Sequence, residues 1–164
     1  MLQISELSGR HDRESFDCGK LELNNYLRQI AGQHVSKSLA RVYVACEEND
    51  PGRIAAYYSL NGCEIKSEEL PDPFRRKFPG RIPAVRLGRL AVARANQGQG
   101  IGEQMLFHAM WNVGQVDAMI GAVALLVDAK DGEAKRFYLR YGFLELPDRP
   151  LNLFLPIARV KEAT

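Results

Sequence analysis

The chain has 164 residues, of which 46% are hydrophobic and 26% charged, and a formal net charge of +2. This is material for one globular domain, residues 1–164, with a core of its own; a transmembrane protein is excluded, because the longest apolar run, Ala122 to Val127, is far too short to cross a bilayer. The three cysteines, Cys18, Cys46 and Cys63, are odd in number, scattered and without metal-ligand spacing, which excludes a disulfide framework and predicts no metal site.

Met1 to Glu6 has neither the basic nor the apolar region of a signal peptide, so a soluble cytoplasmic protein is expected. Asp17 stands where it can cap a helix whose apolar positions, Leu23, Tyr26, Leu27, Ile30 and Ala31, follow helical spacing. Ala40 to Glu47 alternates as a strand, Asn49 to Gly52 reads as a turn, and Arg53 to Ile65 as the next strand of an antiparallel hairpin. Ser67 to Pro83 holds four prolines and one glycine and reads as an irregular surface connection, long for a small domain. Val85 to Val92 has strand character and passes into a loop with glycines at alternate positions, Gly98, Gly100 and Gly102. A helix follows over Glu103 to Val113, with Met105, Leu106, Ala109, Met110 and Val113 on one face. Ala122 to Asp128 is a short buried strand, Glu133 to Tyr141 a helix with Gly142 as its C-cap, and Leu144 to Leu146 and Leu151 to Ile157 are closing strands.

Strand, glycine loop and helix N-terminus together point bare backbone N–H groups and the positive end of a helix dipole at one spot, the usual seat of a phosphate. The loop lacks the third glycine of a dinucleotide fingerprint and the Gly-Lys-Ser/Thr of a Walker A loop. What it fits is Gln/Arg-x-x-Gly-x-Gly/Ala, as Gln97-Gly98-Gln99-Gly100-Ile101-Gly102. Between Pro73 and Gly102 there is no Asp or Glu, while Arg75, Arg76, Lys77, Arg81, Arg86, Arg89 and Arg94 all fall there. A block of one sign attracts polyanions, and these charges are more than one cofactor needs, so RNA is a candidate partner.

The loop motif resembles the pyrophosphate loop of the GNAT superfamily of acetyl-CoA-dependent N-acetyltransferases. Arg89-Leu90-Ala91-Val92 before it is similar to that family's core strand, and Ala134-Lys135-Arg136-Phe137-Tyr138-Leu139-Arg140-Tyr141-Gly142-Phe143 to its A-x-x-F-Y-x-x-x-G-F segment. The resemblance implies an α/β GNAT fold, a mixed, mostly antiparallel central sheet flanked by helices and splayed at the acetyl-CoA cleft. It implies that acetyl-CoA lies along the backbone of Leu90, Ala91 and Val92, with its pyrophosphate on the amides of Gln97, Gly98, Gln99, Gly100, Ile101 and Gly102.

Amine attack on a thioester needs a neutral amine, a partner for the oxyanion and a proton for the leaving thiolate. A thiol of pKa about 8.5 can be protonated by a tyrosine of about 10, and Tyr138 matches the family's tyrosine in that role. Phe137 and Tyr141, four apart, are expected to be the core side of that helix, with Tyr138 pointing elsewhere. Asp128 and Glu133 are the available bases, but carboxylates before and at the start of a helix read better as caps, Asp128 and Asp131 among them. Without a strong base the enzyme suits an α-amine, of pKa about 7.7–8.0, better than a lysine, of about 10.4.

A closer resemblance rests on Phe16-Asp17-Cys18-Gly19, Leu23-Asn24-Asn25-Tyr26-Leu27, Arg41-Val42-Tyr43-Val44, Ala56-Tyr57-Tyr58-Ser59-Leu60 and Leu87-Gly88-Arg89-Leu90-Ala91-Val92. These are similar to the TacT-like toxins of type II toxin–antitoxin modules, which implies acetylation of the α-amine of aminoacyl-tRNA, a homodimer and a ribbon-helix-helix antitoxin as partner. Arg75, Arg76, Lys77, Arg81 and Arg86 are then the candidate RNA contacts. The alternatives are a GNAT acting on a small-molecule, peptide or protein amine, and a non-catalytic acetyl-CoA-binding protein. Tyr26 where Trp is usual, Ala56 for Gly and Gln97 for Arg depart from the pattern without removing a reacting group.

Overall fold

Seven strands are hydrogen-bonded in the order β1-β2-β3-β4-β5-β7-β6 in the computed structural model, which describes residues 1–164. The elements are β1 (Leu2–Glu6), α1 (Leu21–Asn25), a π turn (Tyr26–Ile30), α2 (Ala31–Ser36), β2 (Arg41–Glu47), β3 (Ala56–Lys66), α3 (Phe74–Lys77), β4 (Arg81–Val92), α4 (Ile101–Ile120), β5 (Ala124–Asp128), α5 (Gly132–Arg140), β6 (Leu144–Leu146), β7 (Arg149–Pro156) and α6 (Ile157–Glu162). The sheet is mixed and mostly antiparallel, as expected. β1 and α6 were not anticipated, and Ile157, expected to end a strand, instead begins α6. No helix is long and apolar enough to cross a membrane. The chain divides into two compact units, Met1–Asn61 with Gly88–His108, and Gly62–Leu87 with Ala109–Thr164.

In the first unit β1 pairs antiparallel with β2 from Leu2↔Glu47 to Glu6↔Tyr43, and β2 with β3 from Arg41↔Leu60 to Ala45↔Ala56, which gives the expected hairpin. Its core joins Tyr26, Leu27 and Ala31 of the helical segment to Val42, Val44, Tyr57 and Ala91 of the strands. Burying each of the larger of these side chains is worth about 1.5–3 kcal/mol. Two expectations change here. Asp17 does not cap α1; its Oδ1 accepts from Gly19 N at 2.9 Å and Asn24 Nδ2 at 3.0 Å, so it holds the turn before the helix. Ile30 is not core but 42% exposed, because the π turn takes more residues per turn and rotates it outward while Ala31 is fully buried. On α4, His108 Nδ1 lies 2.7 Å from the Tyr58 hydroxyl, and Tyr43 stacks on Tyr58 at 5.1 Å.

In the second unit β4 and β5 run parallel from Val85↔Leu125 to Leu87↔Val127, and β5 pairs antiparallel with β7 from Ala124↔Pro156 to Asp128↔Asn152. Ile65, Leu70, Ile82, Ala84, Leu126 and Phe154 build its core. The connection expected to be irregular over Ser67 to Pro83 is shorter and partly ordered. It holds a 3-10 turn at Ser67–Glu69 and α3, and Arg81 already begins β4. The anchor is apolar: the Phe74 ring meets Phe154 edge-on at 5.3 Å. α4 is longer than its periodicity indicated, but Met105, Leu106, Ala109, Met110 and Val113 are all fully buried, as their spacing predicts. Gly142 takes φ +90 after α5, as a C-cap requires.

Candidate active site

β4 ends at Val92, and a 3-10 turn at Arg94–Asn96 leads into the glycine loop. Gly98 and Gly100 have φ of +80 and +77, the left-handed region that glycine enters without penalty. Nothing stands within 4 Å of a Cβ built on either residue, so the outer side of the loop is open. α4 begins at Ile101, and its first intrahelical bond, Gln104 N to the Gly100 carbonyl, is 3.2 Å long. The amides of a first helical turn have no partner inside the helix, and the dipole of twenty aligned residues lies behind them. An open glycine backbone over a helix N-terminus fits a pyrophosphate, so the residues present suit acetyl-CoA.

Gln97 differs from the rest of the loop. Its Nε2 donates to the carbonyls of Cys18 at 3.0 Å and Val92 at 2.9 Å. The side chain therefore pins the loop to the end of β4 and to the turn before α1, and only its backbone can face a ligand. Ala91 is buried among the core residues of its unit, while Leu90 and Val92 are half-buried.

Tyr138 reverses an expectation: it is the buried ring of α5, 7% exposed, while Phe137 and Tyr141 are half-buried. Its ring meets Phe137 at 5.2 Å and Phe143 at 5.4 Å. The reason is that Phe143, just past the Gly142 cap, is buried and carries the helix over on its Tyr138 side. Burial pushes the phenol well above the ordinary tyrosine value, so it stays protonated. A neutral phenol is what a proton donor to a thiolate needs, and the same burial fits a core aromatic.

The basic block is less bare than its sequence suggests, because acidic partners come from elsewhere in the chain. Arg86 binds Asp128 at 2.6 Å, Arg81 meets Glu64 at 3.4 Å, Arg76 meets Asp72 at 3.6 Å, and Arg94 meets Asp17 at 3.8 Å. Arg75 is tied to its own loop, donating to the carbonyls of Leu70 and Glu68. Arg75, Arg76 and Lys77 are consecutive and exposed on α3, and Arg81 is exposed nearby in sequence; Arg86 is half-buried and its guanidinium is occupied, which removes it as a natural phosphate contact. Asp128 is not a helix cap, because it ends β5 and is held by Arg86 and by Asn152 Nδ2. Asp131 is the cap, accepting from Ala134 N at 2.9 Å, and Glu133 lies in the first turn of α5.

One polar cluster escaped the sequence reading. The Arg89 guanidinium stands 3.7 Å over the Tyr26 ring, and the Tyr26 hydroxyl is 3.1 Å from His34 Nδ1. Ser59, 1% exposed, sets its Oγ against Tyr26. That oxygen lies 3.0 Å from the position a Cβ would take on Gly88. A lone glycine inside an apolar strand is the signal that could have pointed there, since it marks a close approach.

A family model for the acetyltransferase (GNAT) domain matches residues 38–145. The chain is 34% identical over 149 residues to a tRNA-acetylating toxin of Mycobacterium tuberculosis, covering 91% of this chain and 88% of that one. It is 30% identical over 161 residues to a probable toxin TacT of Sinorhizobium fredii, covering 93% and 88%. Among solved structures, a mutant of KacT superposes with a TM-score of 0.93 at 31% identity over 99% of both chains. AtaT complexed with acetyl-methionyl-tRNAfMet superposes with a TM-score of 0.91 at 31% identity, over 99% of this chain and 98% of that one.

Proposed function

The chain belongs to the GNAT acetyltransferase family, and on that premise we propose that it transfers the acetyl group of acetyl-CoA to the α-amine of an aminoacyl-tRNA, as a toxin that blocks translation. The observation that carries this reading is likeness along nearly the whole of both chains, at 34% identity to a tRNA-acetylating toxin and at a TM-score of 0.91 to AtaT complexed with an acetylated aminoacyl-tRNA. Such an enzyme works where charged tRNA is, in the cytoplasm, as a single functional domain. Complexes of AtaT with an antitoxin are known, one of them also with acetyl-CoA, and a homologous antitoxin is the partner proposed here.

In this reading the amides from Gly98 to Gly102 hold the pyrophosphate of acetyl-CoA, with Gln97 fixing the loop from behind, and the backbone of Leu90, Ala91 and Val92 aligns the pantetheine arm. The amine nitrogen attacks the thioester carbon, the carbon–sulfur bond breaks, the Tyr138 hydroxyl gives its proton to the thiolate, and the proton shed by the acetylated nitrogen returns to the phenolate. Because an α-amine is substantially neutral near pH 7.7–8.0, no strong base is required. Arg75, Arg76, Lys77 and Arg81 meet RNA phosphates. The test is transfer of labelled acetyl from acetyl-CoA into total aminoacylated tRNA, with uncharged tRNA as control. Incorporation that needs the aminoacyl group and falls with Tyr138→Phe supports the reading; its absence with acetyl-CoA binding intact would move the acceptor to a small-molecule or protein amine.

A further inference from the structure

Arg89 stands apart from the rest of the basic block. Arg76, Arg81, Arg86 and Arg94 each meet a carboxylate, Arg75 donates to two carbonyls of its own loop, and Lys77 lies exposed over the Phe78 ring. Arg89 is half-buried, and its guanidinium meets neither a carboxylate nor a carbonyl; what it has is the face of Tyr26, at 3.7 Å. None of its nitrogens is sealed from solvent, in contrast to Nε of Arg28. A cation partly withdrawn from water without a counter-ion is costly, and an anion from outside removes that cost.

The guanidinium is also fixed in place. The Tyr26 hydroxyl lies 3.1 Å from His34 Nδ1, and its ring is stacked on that of Tyr57 at 6.2 Å, with 16° between the planes. The Tyr57 hydroxyl in turn donates to the Leu23 carbonyl at 2.6 Å. Arg89 thus tops a pile of two anchored rings. A guanidinium stacked by its face keeps its edge N–H groups free, in the planar fork that suits two oxygens of one phosphate.

The chemistry of the substrates says which phosphate. In an aminoacyl ester the carboxyl group is esterified and carries no charge. The nearest anion is the phosphodiester on the 5′ side of the ribose that bears the amino acid. Acetyl-CoA is the other source of phosphate. Under the function proposed above its pyrophosphate lies on the loop after Val92, and its reacting end lies along Leu90 to Val92, next to Arg89. At about 3.3 Å per residue, β4 alone sets Val92 about 10 Å from Arg89, so the cofactor's phosphates lie further off still. We propose that Arg89 binds the phosphodiester adjoining the aminoacyl ester, the last phosphate of the acceptor RNA, and so places the ester and its α-amine for transfer. This deepens the proposed function and rests on it. A backbone phosphate carries no sequence information, so Arg89 serves every aminoacyl-tRNA alike.

The test compares two acceptors that differ by that one phosphate, the 3′-aminoacyl ester of adenosine and the same ester of the dinucleotide CpA. With the wild-type enzyme, kcat/KM should favour the dinucleotide by about tenfold or more. In Arg89→Gln the ratio should fall to about one, and Arg89→Lys, which keeps the charge and loses the fork, should lie between. A CpA ester with an uncharged methylphosphonate linkage makes the same comparison without altering the protein, and should be no better than the adenosine ester. Equal rates on the two natural esters with the wild-type enzyme, a methylphosphonate ester as good as CpA, or an unaltered ratio in Arg89→Gln would overturn the inference. So would an Arg89→Gln protein whose Kd for acetyl-CoA rises while the ratio stays, because the phosphate held would then be the cofactor's. A wild-type enzyme that acetylates amino-acid amides but neither ester nor aminoacyl-tRNA would sink the tRNA reading and this inference with it. One that acetylates aminoacyl-tRNA and both esters without preference would sink the inference alone.

Discussion

Replacing Gln97 tests whether the phosphate loop is held in shape by a side chain. The amide makes two hydrogen bonds, 3.0 Å to the Cys18 carbonyl and 2.9 Å to the Val92 carbonyl. Each is worth about 0.5–1.5 kcal/mol net, and both lie where water can partly replace the amide, so Gln97→Ala should cost about 1 kcal/mol. For a chain of this size that lowers the unfolding temperature by about 3 °C. A loop no longer set in its binding shape should also lose about 5–10-fold in acetyl-CoA affinity. Gln97→Glu is the sharper variant: a carboxylate cannot donate to two carbonyls and repels a pyrophosphate, so its loss should exceed that of alanine. Gln97→Arg keeps donors at this position and should bind close to wild type. Thermal melts and calorimetric titration with acetyl-CoA give both numbers. If the Ala and Glu variants match wild type in both, the side chain is not what holds the loop.

Tyr138→Phe keeps the ring packed against Phe143 and should preserve the melt and acetyl-CoA binding, while transfer falls about 10²–10⁴-fold in a single-turnover assay. Gly98→Ala forces a side chain into a φ of +80, costing about 1 kcal/mol, and projects a methyl group into the open side of the loop; titration should show acetyl-CoA affinity falling more than stability. Arg76→Gln and Lys77→Gln should weaken tRNA binding and each flatten the log–log salt dependence by about 1, whereas Arg86→Gln, whose guanidinium already serves Asp128, should leave both unchanged. His108 is held below its ordinary pKa by burial, so the unfolded chain binds the proton more readily. The stability it contributes is full above the unfolded value of about pH 6.5 and is lost as the pH falls from there through the lower pKa of the folded state. Melts between pH 5 and 7.5 should steepen on the acid side and flatten in His108→Gln, with His11, also lowered by burial and by Arg10, supplying the residual slope.

The strand, glycine loop and helix start of the candidate cofactor site are legible in the sequence because their determinants are local. Glycines at alternate positions before a helical repeat can only be a loop feeding a helix N-terminus, and Met105 to Val113 buried as spaced. What sequence hid was whatever depends on partners far along the chain. The acid that neutralises Arg86 is 42 residues away, and the carbonyl that receives Gln97 is 79 away. A run of arginines therefore looked like bare charge when much of it was already paired. The spacing of Phe137 and Tyr141 points Tyr138 to the wrong side of its helix, because Phe143, beyond the cap, decides which ring is buried. β1 carries no turn signal before it, and α4 runs past Val113 through Gly114 and polar residues that blur its apolar stripe.

The π turn at Tyr26–Ile30 gives the helical segment one place where its length can change. One residue of an α-helix is about 100° of rotation, and the wide turn absorbs one extra residue, closed by the bond from Ala31 N to the Tyr26 carbonyl. Deleting a residue between Tyr26 and Ala31 would turn that bond into an ordinary helical link, with Ala31 still in the core and His34 still beside the Tyr26 hydroxyl. The same deletion between Ala31 and His34 would rotate everything after it by that angle and carry His34 away from Tyr26. The wide turn thus acts as slack in an otherwise fixed phase.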